Sequence, residues 1–320
     1  MTLFIYSPRP GAGFGWKGNR LMGEGMMGKK KIGFVGLGLM GGGMARNLLA
    51  AGYPVIGYDA DPEKMRALAE RGGQMADSPE AIPPLVEVII LSLPNSVVVN
   101  AVVEDSLRLF ETGREGLILI DTTTADPVMS AELAARLRAK GIEMLDATIS
   151  GTSKMCAEKD VTFMVGGGED AFRAAEPLFS ALGKELFYLG KNGSGASAKL
   201  VVNLVLGLNR MVLAEGLCLA KKAGMDPART LELLKKSAAY SKAMDMKGTK
   251  MIEKDFLPPE GKLAFHLKDV RLMLDLGGRL DVPLLLSSLH AQALTAEVAK
   301  GRGEWDNSAI IAFYNDLAGL

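Results

Sequence analysis

Between residues 31 and 190 short β-rich runs alternate with amphipathic helical stretches, and this alternation constrains the fold more than any other feature of the chain. KIGFVG reads as a buried strand by its apolar content, and Met40 to Ala51 follows as a helix ending at Gly52. PVIGYD is the second strand. DPEKMRALAERGG then offers Asp61 as N-cap, Pro62 at the first helical position and Gly72 beyond the end. VEVIILSLP, GLILID and GIEMLD are further strands, and DPVMSAELAARLRAKG repeats the Asp-Pro start and Gly stop between two of them. A looser stretch, TSKMCAEKD, precedes the strand VTFMVGGG, a helix from Glu169 to Leu182 and the strand ELFYLG. Alternating units of this length call for parallel strands with right-handed crossovers, hence an α/β fold with a doubly wound parallel sheet.

From Ser194 onward the pattern changes to helical periodicity with short Gly and Pro breaks, through DPARTLELLKKS, HLKDVRLMLDLGG and VPLLLSSLHAQALTAEVAKG. An α/β domain over 29–192 and an all-helical domain over 193–320 follow, the second opening with one long helix. Its apolar stretch from Leu200 to Ala220 carries Asn203, Asn209, Arg210 and Glu215, which suits a core helix and not a lipid-exposed span. Charged residues are 23% of the chain and balance to zero, which favours neither a nucleic-acid backbone nor an anionic membrane as partner. Cys156 and Cys218 form no C-x-x-C pair and His266 and His290 are scattered, so no metal site is assembled by spacing and a reducing, cytoplasmic setting is expected. Residues 1–28 lack both a regular period and a signal-peptide core. They read as a disordered or upstream extension, with translation starting at Met26 or Met27.

Within the alternating half, GLGLMG places Gly36, Gly38 and Gly41 in a G-x-G-x-x-G spacing, with Leu37, Leu39 and Met40 between them. The first glycine permits a tight turn and the second lets backbone approach a pyrophosphate. The third lets helix and strand pack closely, while the helix N-terminus offers its unpaired N–H groups. Asp59, 23 residues after Gly36 and at the end of the next strand, is placed to accept from ribose hydroxyls. A carboxylate there repels a 2′-phosphate, so NAD is expected over NADP. The competing role for Asp59 is to cap the Asp61-Pro62 turn, and Arg66 is a possible phosphate partner. Leu93, Pro94 and Asn95 follow one strand and Thr122 to Thr124 another, at the carboxyl ends where open α/β sheets bind ligands. Thr124 is equally a helix-capping candidate before Asp126-Pro127.

Lys199, in GSGASAKLVVN, is flanked by Ala198 and Leu200, and Asn203 shares its helix face one turn on. Two readings stand at this point. Lys199 is either a snorkelling surface lysine, or a partly desolvated amine whose lowered pKa suits proton transfer near neutral pH.

Four blocks resemble the β-hydroxyacid dehydrogenase family, whose best-known member is 3-hydroxyisobutyrate dehydrogenase: GFVGLGLMGGGMARNL, DATISG, GSGASAKLVVN and FHLKDVRLML. The resemblance covers residue 30 to the end. It implies a Rossmann-type domain and an all-α C-terminal domain joined by a long interdomain helix. It also implies an NAD(P)-dependent oxidoreductase acting on a small carboxylate substrate, and assembly as a homodimer or homotetramer. By motif position it makes Lys199 the catalytic acid/base and Asn203 a substrate-positioning residue. Ser150, Gly151 and Thr152 become carboxylate binders, and Leu93, Pro94, Thr124 and Lys268 cofactor contacts.

This chain departs from the family's D-A-P-V-S-G-G at Thr148 and Thr152, and adds Lys154 beside them. Lys154 is either a solvated loop residue or a partner for a second anionic group on the substrate. DNSAII near the C-terminus resembles a pocket-closing segment of relatives, or is an Asp N-cap. A 3-hydroxyisobutyrate-like substrate is expected, with glyoxylate or succinic semialdehyde reduction as the alternative. An imine reductase, disfavoured by Lys199, and a non-catalytic dinucleotide-binding module are the rival classes.

Overall fold

A computed structural model describes residues 29–320; the expectations for residues 1–28 lie outside it. The described chain divides into two compact units, one ending at Ser197 and one running from Ala198 to Leu320.

The first unit holds eight strands: β1 (Ile32–Val35), β2 (Val55–Tyr58), β3 (Gln74–Met75), β4 (Val88–Leu91), β5 (Ile118–Asp121), β6 (Glu143–Ser150), β7 (Thr162–Gly167) and β8 (Glu185–Tyr188). They form one sheet in the order β3-β2-β1-β4-β5-β6-β7-β8. Helices α1 (Leu39–Ala50), α2 (Pro62–Ala69), α3 (Ser96–Ala101), α4 (Leu109–Thr112), α5 (Pro127–Arg138), α6 (Ser153–Ala157) and α7 (Glu169–Leu182) connect them. The strands read as continuous apolar runs because both faces are covered. Ile32, Phe34, Val88 and Ile90 pack on one side with Met44 and Leu48 of α1. Val35, Ile89 and Leu91 pack on the other with Leu133 and Leu137 of α5, as a period of two requires.

The helix signals act where the sequence places them. Asp61 caps α2 by accepting from the Glu63 amide at 2.9 Å, and Asp126 caps α5 by accepting from the Val128 amide at 2.8 Å. Two strands depart from the expected parallel arrangement: β7 runs antiparallel to β6, and β8, parallel to β7, shares its reversed direction. Only the five-residue helix α6 stands between β6 and β7, too little chain for a crossover that returns to the starting end of the sheet. β7 and β8, separated by the fourteen-residue α7, are parallel again. The stretch read as loose, TSKMCAEKD, thus contains α6, nucleated by Thr152, whose hydroxyl accepts from the Met155 amide at 3.2 Å.

α8 (Ser194–Lys222) crosses the division between the units. By length and composition it is apolar enough to span a membrane, but Leu200, Met211, Leu213, Ala214 and Leu217 bury it in the core of the second unit. That unit adds α9 (Pro227–Lys235), α10 (Lys242–Glu253), α11 (Leu263–Arg279), α12 (Leu285–Glu297) and α13 (Ile310–Ala318). A buried ion pair ties α10 to the turn before α13. Lys247 Nζ lies 2.9 Å from Asp306 Oδ2, and the same carboxylate accepts from the amides of Glu260, Gly261 and Ser308. Asp306 is therefore a capping residue of the DNSAII segment.

Candidate active site

The sheet changes winding direction between β1 and β4, where chains leaving adjacent strands turn apart, and ligands in such folds lie at that carboxyl edge. Gly36 ends β1 there with φ +89°, a conformation costly for any residue with a Cβ. A Cβ on Gly36 would also stand 2.3 Å from the Ser92 carbonyl oxygen. The loop after β1 and the Ser92–Pro94 segment after β4 therefore pack backbone to backbone. Gly41 is equally constrained: its Cβ would meet the Gly36 oxygen at 1.9 Å, so α1 begins directly against the turn. Nothing lies within 4 Å of a Cβ placed on Gly38. This open glycine at the start of α1 fits a pyrophosphate approaching the backbone.

Asp59 ends up doing two things. Its Oδ2 accepts from the Leu37 amide at 2.6 Å, tying the end of β2 to the glycine turn. Its Oδ1 accepts from the Asp61 amide at 2.9 Å, so the turn-capping role is realised as well. A carboxylate has further lone pairs, and these remain the feature suited to ribose hydroxyls. Arg66 pairs with Glu63 on the exposed side of α2.

Beyond β4 and β5, Thr123 Oγ1 accepts from the Leu93 amide at 3.1 Å and Thr122 Oγ1 donates to the Leu91 carbonyl at 2.7 Å. Asp126 is the cap of α5, which leaves half-buried Thr124 outside that role. Pro94 is exposed and Leu93 half-buried at the same edge. On β6, Ser150 is the last strand residue, followed by Gly151 and by Thr152 at the cap of α6. Asn47 and Arg46 of α1 hold this segment by donating to the Cys156 and Ala157 carbonyls at 2.8 and 2.6 Å. The fold thus brings the glycine turn's helix against the segment carrying Ser150, Gly151 and Thr152. Cys156, buried between them, has its thiol pushed up to about 11 by burial, so it packs and does not react. Lys154 is exposed on α6.

Sequence reasoning missed two aspartates on this edge. Asp121 and Asp146 are register partners on β5 and β6, both buried. Asp146 accepts from the Gly193 and Ala196 amides, each at 2.9 Å, and so caps α8. Burial pushes Asp121 up to about 7, opposed by its hydrogen bonds with Thr123. Burial also raises Asp146, against the hydrogen bonds from the α8 amides. Their signal, an Asp at each strand end, was present in GLILID and GIEMLD, but strand ends alone do not reveal burial.

In the second unit, Lys199 is half-buried on α8. Burial lowers its amine to about 8, with Asp269 opposing and Arg210 and Lys268 adding to the fall. Asn203, buried one turn on, donates through Nδ2 to Asp269 Oδ2 at 3.0 Å. Lys268 pairs with Asp269 Oδ1 at 3.2 Å. Asp269 is thus the shared anion of a cluster of Lys199, Asn203 and Lys268. It stands inside the FHLKDVRLML block, next to Lys268. Among the described residues no His, Cys, Asp or Glu group is arranged to hold a metal ion.

Residues 31–190 match a family profile described as the NAD binding domain of 6-phosphogluconate dehydrogenase. Residues 193–314 match one described as NAD-binding of NADP-dependent 3-hydroxyisobutyrate dehydrogenase. A 3-hydroxyisobutyrate dehydrogenase of Rattus norvegicus is 31% identical over 85% of this chain and 83% of its own. The chain belongs to the 3-hydroxyisobutyrate dehydrogenase-like β-hydroxyacid dehydrogenases. It is an NAD(P)-dependent oxidoreductase acting on CH–OH groups. Within that family, 2-(hydroxymethyl)glutarate dehydrogenase of Eubacterium barkeri is 32% identical over 87% of this chain and 92% of its own. The crystal structure of 3-hydroxyisobutyrate dehydrogenase from Salmonella typhimurium superposes with a TM-score of 0.81 at 27% identity, covering 89% of this chain and 99% of that one. An imine reductase from Pseudomonas sp. shares the fold at 20% identity and a TM-score of 0.56, covering 89% of this chain and 99% of that one.

Proposed function

We propose that this β-hydroxyacid dehydrogenase interconverts a short β-hydroxy acid and its semialdehyde, with Lys199 as general acid/base and NAD as the preferred cofactor. The observation that carries the reading is the half-buried Lys199 amine, lowered to about 8 and sharing Asp269 with Asn203 and Lys268. An amine in that range exchanges a proton readily near neutral pH. In oxidation, neutral Lys199 takes the proton from the substrate hydroxyl. In reduction, protonated Lys199 returns it to the developing alkoxide and stabilises its charge. Bound nicotinamide supplies the hydride acceptor or donor. Asn203, held by Asp269, orients the reacting substrate, and Ser150, Gly151 and Thr152 take its carboxylate.

Gly36, Leu37, Gly38, Leu39, Met40 and Gly41 hold the pyrophosphate side of the cofactor. Leu93, Pro94, Thr124 and Lys268 are assigned to its nicotinamide side, which divides the chain functionally into a cofactor domain over 29–192 and a catalytic helical domain over 193–320. Asp59 at the end of β2 supports NAD, because a second anion beside a 2′-phosphate is repelled.

The relatives support substrates with a hydroxymethyl or aldehyde carbon β to a carboxylate. The Rattus enzyme's name specifies 3-hydroxyisobutyrate, that of Eubacterium barkeri 2-(hydroxymethyl)glutarate. We assign the chain to the cytoplasm, in keeping with its two buried free cysteines. Association with a second copy is favoured by an exposed apolar stripe on α8, Val201, Val205, Val212 and Leu219, at helical spacing. The deciding assay is a panel of short β-hydroxy acids and semialdehydes with NAD(H) and NADP(H). Turnover of a β-hydroxy acid with NAD supports the reading, and cofactor binding without turnover of any member overturns it.

A further inference from the structure

Eleven residues after Lys199, and so about three helical turns along the same face of α8, stands Arg210. Its side chain is 5% exposed. Among the described residues nothing hydrogen-bonds or ion-pairs with its guanidinium. A permanent charge is thereby held at a largely buried position without a protein partner, while none of its nitrogens is wholly sealed from solvent, an arrangement that an anion entering from that side completes. The two carboxylates whose fields reach Arg210 are Asp306 and Asp269, and both are committed elsewhere. Asp306 is bound to Lys247 and three backbone amides. Asp269 is bound to Asn203 and Lys268.

A second unsatisfied group lies beside it. His266 Nε2 on α11 is buried and has no hydrogen-bond partner. It rests against Gly207, one turn before Arg210, at 2.5 Å from where a Cβ would stand. The charge of Arg210 acts on His266 across this side-chain-free position, and the lean of helical side chains toward the N-terminus favours a reach that shortens the ~16 Å axial rise to Lys199. His290 stands next to His266, ring centroids 5.1 Å apart. Burial and the charge of Arg210 lower both histidines, His290 to about 4. Each is neutral near pH 7, and a neutral His266 can donate from Nε2.

We propose that Arg210, assisted by His266, binds a second carboxylate of the substrate, so that the enzyme's substrate is a β-hydroxy dicarboxylate. This rests on Lys199 acting at the hydroxyl-bearing carbon. Arg210 reads the carboxylate that is additional to the one common to the family. Exposed Lys154, considered above for that task, lacks the desolvation that makes an anion contact selective.

The test compares kcat/KM for 3-hydroxyisobutyrate with that for 2-(hydroxymethyl)succinate and 2-(hydroxymethyl)glutarate, in which the methyl branch is extended to a carboxylate. The wild-type enzyme is expected to favour one dicarboxylate by roughly tenfold to a hundredfold, the usual range for a charge-assisted contact. Arg210→Met should lower the dicarboxylate-to-monocarboxylate ratio by about the same factor, with Arg210→Lys between. Taking the ratio at one pH cancels any effect of Arg210 on Lys199. If Arg210→Met does not fold, competitive inhibition of the wild-type enzyme by glutarate against butyrate gives the same reading, with glutarate expected to bind at least tenfold more tightly. A wild-type enzyme that oxidises 3-hydroxyisobutyrate without favouring either dicarboxylate overturns the Arg210 assignment alone. So does an unchanged ratio in Arg210→Met. Failure to oxidise any of the three overturns the proposed reaction instead.

Discussion

Asn203 donates to Asp269 at 3.0 Å, joining the amide that follows Lys199 on α8 to the one carboxylate of α11 whose field reaches the lysine. Asp269 raises the lysine's pKa against the dominant effect of burial. Removing its charge with Asp269→Asn therefore lowers the Lys199 pKa further below about 8. Oxidation requires neutral Lys199, so kcat/KM for oxidation rises with pH through that value. The rising limb is expected to move to lower pH in Asp269→Asn, and the falling limb of the reduction reaction to move with it. Paired pH profiles in the two directions check this. A limb that stays in place or moves upward contradicts the role of Asp269.

Lys199→Ala removes the proton carrier and leaves the glycine turn untouched. Turnover should fall by about 10²- to 10⁴-fold, the usual share of general acid–base catalysis. NAD affinity, measured by fluorescence or calorimetric titration, should change by no more than about twofold. Near-normal turnover would remove Lys199 from the mechanism.

Asp59 carries both a turn-stabilising and a cofactor-selecting assignment, and the two separate on substitution. Asp59→Ala loses the bond from the Leu37 amide, which weakens both cofactors by loosening the glycine turn. It also removes a charge that opposes only the 2′-phosphate. NAD affinity should therefore fall by roughly tenfold more than NADP affinity. Equal losses for both would leave Asp59 with the turn alone.

The pair between Lys247 and Asp306 is buried at both ends, 3% and 0% exposed. Lys247→Met leaves the Asp306 carboxylate with its backbone donors but without its counter-charge. Chemical denaturation should show a loss of about 3 kcal/mol or more. The double variant Lys247→Met with Asp306→Asn should recover part of that loss, because no uncompensated charge remains. A single variant as stable as the parent would show that the backbone amides suffice.

Features written as local patterns in the sequence were legible. The alternation of apolar runs with Asp-Pro starts and Gly stops announced a doubly wound sheet, and the structure has Asp61 and Asp126 capping their helices. Gly36 and Gly41 were recognisable because a turn and a close packing each demand a missing Cβ, and both demands are met. The reversal of β7 was not legible, since it depends on how little helix the connection contains. Thr124 is a capping candidate in the sequence but Asp126 is the cap, because polar residues two apart compete for amides that only the folded backbone orients.

The residue types and their spacing alone determined the glycine turn, the acidic end of β2, and a lysine and an asparagine on one helical face. What tertiary structure decided was electrostatic environment. Asp146 became the cap of a helix nearly fifty residues downstream, and Asp269 became the anion shared by Lys199, Asn203 and Lys268. Arg210, which in the sequence only argues against a membrane span, is a buried charge in the fold. Burial and the pairing of charges depend on which distant segments pack together, and a pattern read along one helix contains no record of its neighbours.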